Sequence, residues 1–333
     1  MKLSLSKFAK SMVVVASTCM AFGALAQAKK EVTFAHQDMM VPLRTVMESG
    51  ELEKATGYKI NWRMFGGGGD VIRAMASGDV QIGEAGSSPV AAAASQGQDI
   101  QLFWILDDIS DAEALVAKKG ISSIKDLKGK KVATPFVSTS HYQLMLALKM
   151  EGFKTGDVNV MNMRPPEIAA AWERGDIDGA FIWDPILSKI KSGGTVLTTS
   201  GQIGKKGFPT FDGIVVNRQW AAENKDFMVA LTKALAKADA DYRANSAKWT
   251  VDSPQVKAVA KWTKADAKDV TPSMALYKFP TPQEQVSSAW LGGGAAKALK
   301  DTAEFLKEQG RVQAVAPDYS KFVTTEFAAK AGN

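Results

Sequence analysis

Apolar positions along this 333-residue chain fall into short blocks that switch between strand and helix spacing. Glu31-Val32-Thr33-Phe34-Ala35 has strand character and ends in the polar run His36-Gln37-Asp38. Leu43, Val46, Met47 and Leu52 recur at helical spacing after Pro42, which predicts a helix that stops at Gly57. Tyr58–Met64 alternates as a second strand. Gly66–Gly69 follows as a flexible turn, with Asp70 placed to cap a helix over Val71–Ser77. Val80–Glu84 is a third strand, and Gly86-Ser87-Ser88-Pro89 opens an Ala-rich helix to Ser95. Pro89 suits a first turn, where its missing N–H costs nothing. Ile100–Leu106, which contains Trp104, and Ala114–Ala117 are apolar strands.

Gly120–Lys128 then predicts a crossing to a second body, with Ile121, Ile124 and Leu127 on one short helical face. Lys131–Thr134 is a buried strand, Pro135–His141 a turn crowded with hydroxyls, and Leu144, Leu146, Ala147, Leu148 and Met150 carry a helix. Strand and helix alternate again through Val158–Met163, Ile168–Arg174, Ala180–Trp183, Ile186–Lys191 and Thr195–Leu197. Phe208–Asp212 predicts the return crossing and Gly213–Asn217 a last strand. Beyond Arg218 the spacing is helical almost throughout. This order predicts an α/β protein with mainly parallel sheets. It divides into a first lobe over residues 29–120, a second over 121–208, and a return to the first over 209–333, with a hinge and a helical C-terminal tail.

The first 28 residues read as a secretory signal. Lys2, Lys7 and Lys10 precede an apolar run, and Ala26-Gln27-Ala28 is a small-x-small cleavage site. The run is too short, and too rich in Ala and Ser, to span a membrane stably. Cys19 raises a lipid anchor, but Thr18 before it fits that signal poorly. An extracytoplasmic, periplasmic location is therefore expected. The formal charge of +6 includes those three lysines, so the remaining chain carries only +3, too mild for a nucleic-acid binder. Past Ala28 the chain has no cysteine, hence no disulfide and no thiol nucleophile. His36 and His141 stand alone, with no metal-ligand spacing around them. No metal, cofactor or catalytic residue is expected. The glycines of Gly66–Gly69 lack the following Lys-Ser or Lys-Thr of a phosphate loop, and no Gly-x-Ser-x-Gly elbow exists.

Two serine-bearing helix starts remain, Ser87–Ser88 and Ser138-Thr139-Ser140-His141, one in each predicted lobe. A helix N-terminus offers unpaired N–H groups and a partial positive charge, which together suit an anion. The same serines would also serve as plain helix caps. In open α/β sheets ligands bind beyond the carboxyl ends of strands, where Gln37 and Trp183 also lie. Neither turn contains Arg or Lys, so neutral donors would favour a weakly basic oxyanion such as a sulfonate. Asp212 at the return crossing would either pair with a ligand ammonium or cap a turn. Trp183 and Trp104 would either wall a cleft, adding cation–π attraction, or pack in the core. Asp184 would touch ligand or cap the next helix. Glu84, Asp107 and Asp108 are acids at strand ends with no separable role.

The runs Ala74–Pro89, Pro135–Tyr142, Ala170–Trp183, Pro209–Asp212, Thr302–Gly310 and Asp318-Tyr319-Ser320 make the chain similar to the periplasmic taurine-binding proteins of bacterial taurine ABC transporters. These belong to a wider group that binds sulfonates, nitrate and bicarbonate. The similarity covers nearly all of the chain after the leader. It implies a type II periplasmic binding protein, monomeric, that closes on taurine or a related alkanesulfonate and docks on a membrane permease. It further implies that Ser87–Ser88 and Ser138–His141 hold the sulfonate, Asp212 the amine, Trp183 the two-carbon chain, and that Gln37 adds a contact. Glu84, Asp184, Asp70 and Asp107–Asp108 depart from that pattern, and extra acid would favour a more cationic solute. Enzymes of thiamine-precursor synthesis share this architecture, but they need a reactive histidine or a Cys-rich motif, and the absent cysteines argue against them. A signalling or adhesion subunit would leave the two polar helix starts unexplained.

Overall fold

The computed structural model describes residues 30–332. The predicted leader, residues 1–28, lies outside that range.

Among the described residues, ten strands form two five-stranded sheets. The first contains β1 (Glu31–His36), β2 (Lys59–Met64), β3 (Ile82–Gly86), β4 (Ile100–Asp108) and β10 (Phe211–Asn217), in the spatial order β2-β1-β3-β10-β4. The second contains β5 (Glu113–Lys118), β6 (Lys131–Thr134), β7 (Asn159–Asn162), β8 (Gly179–Trp183) and β9 (Gly194–Thr199), in the order β7-β6-β8-β5-β9. In the first sheet β1 runs parallel to β2 and β3, while β10 is antiparallel to β3 and β4. In the second, β6 is parallel to β7 and β8, while β5 is antiparallel to β8 and β9. Both sheets are thus mixed, not mainly parallel as strand–helix alternation predicts. The antiparallel strands, β5 and β10, are the ones that arrive from the other sheet, so no crossover helix fixes their direction.

β5 belongs to the second sheet. The outward crossing is therefore Ile109–Ala112, not residues 120–128, and the predicted boundary at residue 120 is corrected to the end of β4. Ala114–Ala117 is wholly apolar, and nothing in such a run tells which of two buried sheets it joins. Residues 120–128 instead form a loop and a short 3-10 turn, Ile124–Leu127, capped by Ser123 and Asp126. The return crossing follows the helix Ser200–Gly204 and ends at β10. The two crossings touch where the Ile109 N–H donates to the Thr210 carbonyl at 3.3 Å. A third segment from the tail braces them: Asp108 and Lys278 exchange backbone hydrogen bonds at 2.8 and 3.1 Å.

Helices cover both faces of each sheet, which is why β4 and β5 read as unbroken apolar runs. Leu102, Phe103, Trp104, Ile105 and Leu106 of β4 and Ala114–Ala117 of β5 have no exposed surface. The helix Ser87–Ser95 is buried along nearly its whole length. Its alanines let the helix Gly294–Glu308 from the tail pack closely on it, and that clamp fixes the direction of its N-terminus. The predicted helix up to Gly57 is two, Leu43–Ser49 and Glu51–Thr56, because Gly50 takes a left-handed conformation between them. Asp70 does not cap its helix; the helix begins two residues earlier, at Gly68, and Asp70 lies in the first turn.

Candidate functional site

The carboxyl ends of β1, β3 and β8 and the start of β10 meet at a narrow crevice between the sheets, whose free volume of about 10 Å³ is room for about one water molecule. Its wall is Gln37, Met39, Gly68, Gly86, Pro89 and Asp212 from the first sheet's side, and Glu113, Ser138, Thr139 and Trp183 from the second. Tyr277 of the helical tail completes it.

Two helix N-termini point at this crevice. The helix Ser87–Ser95 starts at Gly86 with no side-chain cap, so its first N–H groups have no side-chain partner. Ser87 and Ser88 are buried just behind Gly86 and Pro89, and their hydroxyls find no partner in the protein. Buried polar groups are rarely left so. The helix Thr139–Met150 starts differently. Ser138 Oγ accepts from the His141 N–H at 3.0 Å and donates to the Pro135 carbonyl at 2.6 Å, a true cap that still borders the crevice. Thr139 Oγ1 is 2.5 Å from Glu113 Oε1.

At Gly86 the lobes approach closely. A Cβ there would lie 2.8 Å from Thr139 Cγ2 and 3.1 Å from Asp212 Oδ1. Its own backbone, φ −65°, suits any residue, so the approach of Thr139 from the second lobe, with Asp212 beside it, is what demands glycine. Gly86→Ala should leave the melting temperature of the ligand-free protein unchanged and weaken ligand binding roughly 5- to 100-fold, the cost of an overpacked methyl. Calorimetry of the two proteins checks this; unchanged affinity would mean that binding does not need this closed approach.

Beneath Gln37 lies a buried ion pair that sequence reasoning missed. Arg44 has no exposed surface and binds Glu84 through Nη1–Oε2 at 2.8 Å and Nη2–Oε1 at 2.9 Å. The same guanidinium donates to the carbonyls of Gln37 and Met39, both at 3.1 Å. Glu84 Oε1 also accepts the Gln37 N–H, and Gln37 Nε2 donates to the Glu84 carbonyl, both at 3.3 Å. Glu84 is therefore absent from the crevice wall and its charge is offset. It adds no attraction for a cation, contrary to expectation.

Asp212 is placed by register. It pairs with Gly86 of β3 on one side and Asp107 of β4 on the other. Burial, then the Glu113 and Glu84 carboxylates, push the Asp212 carboxyl well above the usual range, against the Asp107 hydrogen bond and Arg44. Asp107 is fully buried, and neither of its oxygens receives an N–H or hydroxyl. Burial and then Asp212 raise it strongly. A proton held between these two carboxyls is the arrangement that satisfies both. Burial likewise raises Glu113 to about 7, against the Thr139, Ser140 and Ser200 hydroxyls. The crevice wall contains two carboxyls and no Lys, Arg or His.

Trp183 ends β8 and lines the crevice, and its indole N–H donates to Asp38 Oδ1 at 3.0 Å. That bond joins the second sheet to the loop after β1 across the mouth of the crevice. Seven predicted residues lie outside the wall: Ser87, Ser88 and Glu84, described above, and four more. Trp104 sits in the middle of β4 as core, since its strand is covered on both faces. Asp184 accepts the Ser188 N–H at 2.7 Å and so caps the helix Ile186–Lys191. Ser140 is buried behind Glu113, not in the wall. The His141 ring turns away, stacks on Phe136 at 4.6 Å, and borders a separate groove with Arg311. Burial and then Arg311 lower it to about 4. Glu113, Tyr277, Met39 and Asp38 were not foreseen. Glu113 carried the one usable signal, a carboxylate beside the apolar run Ala114–Ala117. Among the described residues no group of three or more His, Cys, Asp or Glu side chains is placed to hold a metal ion.

Comparison with known proteins places this geometry. The NMT1/THI5-like family matches residues 54–248. The taurine-binding periplasmic protein of Escherichia coli strain K12 is 42% identical over 92% of this chain and 96% of its own. A putative aliphatic sulfonates-binding protein of Bacillus subtilis strain 168 is 30% identical over 68% of this chain and 70% of its own. The crystal structure of the periplasmic aliphatic sulphonate-binding protein of Escherichia coli superimposes with a TM-score of 0.71 at 22% identity, covering 89% of this chain and 92% of that one. The fold is that of the type II periplasmic binding proteins.

Proposed function

The chain belongs to the NMT1/THI5-like family, and from that premise we propose that it is a solute-binding protein for taurine, 2-aminoethanesulfonate, or a close aminosulfonate. It works outside the cytoplasm and delivers its ligand to the membrane permease of an ABC transporter. It binds as a monomer, and it recognises the solute without converting it.

One observation carries this reading: a helix start without a side-chain cap, whose Gly86 and Pro89 line the crevice and whose unpartnered Ser87 and Ser88 hydroxyls lie buried behind them, meets the same small crevice as Asp212, a buried carboxyl with no cation in the wall. A helix start with neutral donors suits a sulfonate. Asp212 suits an ammonium, as charge-assisted hydrogen bonds do. Trp183 and Met39 offer apolar surface to the short carbon chain between the two charges. Gln37, held by Arg44 and Glu84, keeps its side-chain oxygen for the ligand. Closure that brings Gly86 to Thr139 and Trp183 to Asp38 would then be the state presented to the permease.

The test is thermal unfolding of the purified protein with and without micromolar taurine. A ligand present at a hundred times its Kd stabilises the folded state by about 2.7 kcal/mol. Taurine should raise the midpoint, alkanesulfonates without an amine should raise it less, and proton NMR should recover the taurine unchanged. The two carboxyls in the wall favour, as a second reading, a more cationic or zwitterionic solute. A shift with a betaine-like solute and none with taurine would establish that second reading in place of the first.

A further inference from the structure

We infer that Glu113 is a second recognition residue of this crevice, and that it takes up one proton from solvent as the lobes close on an aminosulfonate. The inference rests on the proposed function and names the charge state in which that ligand is held.

Glu113 begins β5, opposite Trp183 of β8, with 4% of its surface exposed. Its polar neighbours can be named. Helix Thr139–Met150 contributes the Thr139 hydroxyl at 2.5 Å, and helix Ser200–Gly204 contributes the Ser200 hydroxyl at 3.0 Å. Across the crevice stand Asp212 of β10 and the Tyr277 phenol, and neither supplies a positive charge. The nearest buried cation, Arg44, is spent on Glu84 through two bonds.

The charge count decides the protonation state. A bound aminosulfonate brings one ammonium and one sulfonate. The ammonium is matched by Asp212. The sulfonate, held at the Gly86–Ser87 helix start against which Thr139 packs, would then lie close to an ionised Glu113, whose Oε1 is 2.5 Å from Thr139 Oγ1. Like charges at that range disfavour each other strongly. A neutral Glu113 removes the conflict and gains a donor. Thr139 and Ser200 accommodate either form, because a hydroxyl both donates and accepts. Opening of the lobes would return water to Glu113 and remove the burial that raises it. In the closed crevice burial, outweighing the Thr139, Ser140 and Ser200 hydroxyls, brings it to about 7, and a sulfonate neighbour would push it further up.

The sign follows from linkage. A group whose pKa rises on closure favours the complex fully below its open-state pKa, and that advantage is lost as pH rises through the closed-state value. Taurine affinity should therefore fall by about tenfold or more between about pH 6 and about pH 8.5. The ligand ammonium, an alkylamine, and the sulfonate both keep their charge through most of that range.

The experiment is titration calorimetry of the purified protein with taurine, in buffers of different ionisation enthalpy. Near pH 6 the apparent enthalpy should depend on the buffer and report an uptake close to one proton, which vanishes by about pH 8.5. Glu113→Gln, a neutral isostere, should bind taurine with no proton uptake and with an affinity flat across that range. Taurine binding without proton uptake in the natural protein would overturn this inference alone. Persistent uptake in Glu113→Gln would place the proton elsewhere and overturn it too. No taurine binding at any pH would remove the functional reading on which it rests. Should Glu113→Gln fail to fold, infrared difference spectra of protein carrying labelled glutamate decide the matter. A new protonated-carboxyl band on adding taurine is expected, and its absence overturns the assignment.

Discussion

Asp212→Asn should weaken taurine binding by about 1.5–3 kcal/mol, roughly ten- to a hundredfold. An alkanesulfonate of the same length without the amine should lose far less. The asparagine keeps the shape of the side chain and its place in the register between Gly86 and Asp107, so the wall of the crevice is preserved. What goes is the charge that meets the ammonium. No protein cation competes for Asp212 in the crevice wall, and Asp107, which burial holds neutral and which does not line the wall, cannot replace it. Calorimetry with the two ligands separates the effects. Equal losses for both would take Asp212 out of amine recognition and leave it a strand-pairing residue.

Arg44→Met should destabilise the folded protein by about 3–5 kcal/mol, the range for removing one partner of a buried pair. The guanidinium is wholly buried, holds both oxygens of Glu84, and ties the carbonyls of Gln37 and Met39. Without it Glu84 keeps a charge with no exposed surface and no counterion. Changing Glu84 to Leu in the same protein should restore most of the stability, since apolar packing often replaces a buried pair at little cost. It should not restore taurine affinity, because Gln37 loses the groups that orient it. Urea unfolding of the single and double variants gives the stabilities and calorimetry the affinities. A single variant within about 1 kcal/mol of the natural protein would mean that Glu84 is protonated in the fold.

Much of the architecture was legible from spacing. Strand ends at Gln37 and Trp183, and helix starts at Ser87 and Ser138, are local features set by short-range rules of backbone hydrogen bonding. They are found where those rules put them. The assignment of β5 was not legible. Its residues are apolar in any buried strand, and only pairing with β8 and β9 decides which sheet it joins. That error displaced the first crossing by about ten residues and hid Glu113, because a carboxylate in the middle of one lobe has no reason to face a ligand. The side chains within one helical turn also split in ways the sequence does not encode. Ser138 and Thr139 border the crevice, Ser140 lies behind Glu113, and the His141 ring faces another groove.

By itself the sequence determined the alternating elements, the two polar helix starts and the likeness to sulfonate-binding proteins, since each depends on residues close together in the chain. The tertiary structure alone decided which acids count. Glu84 is neutralised by Arg44, Asp184 is used up as a cap, Asp107 shares its burial with Asp212, and Glu113 stands opposite Asp212 across the crevice. The physical reason is that a carboxylate's role depends on its burial and on the charges around it, and those neighbours come from segments far apart in sequence.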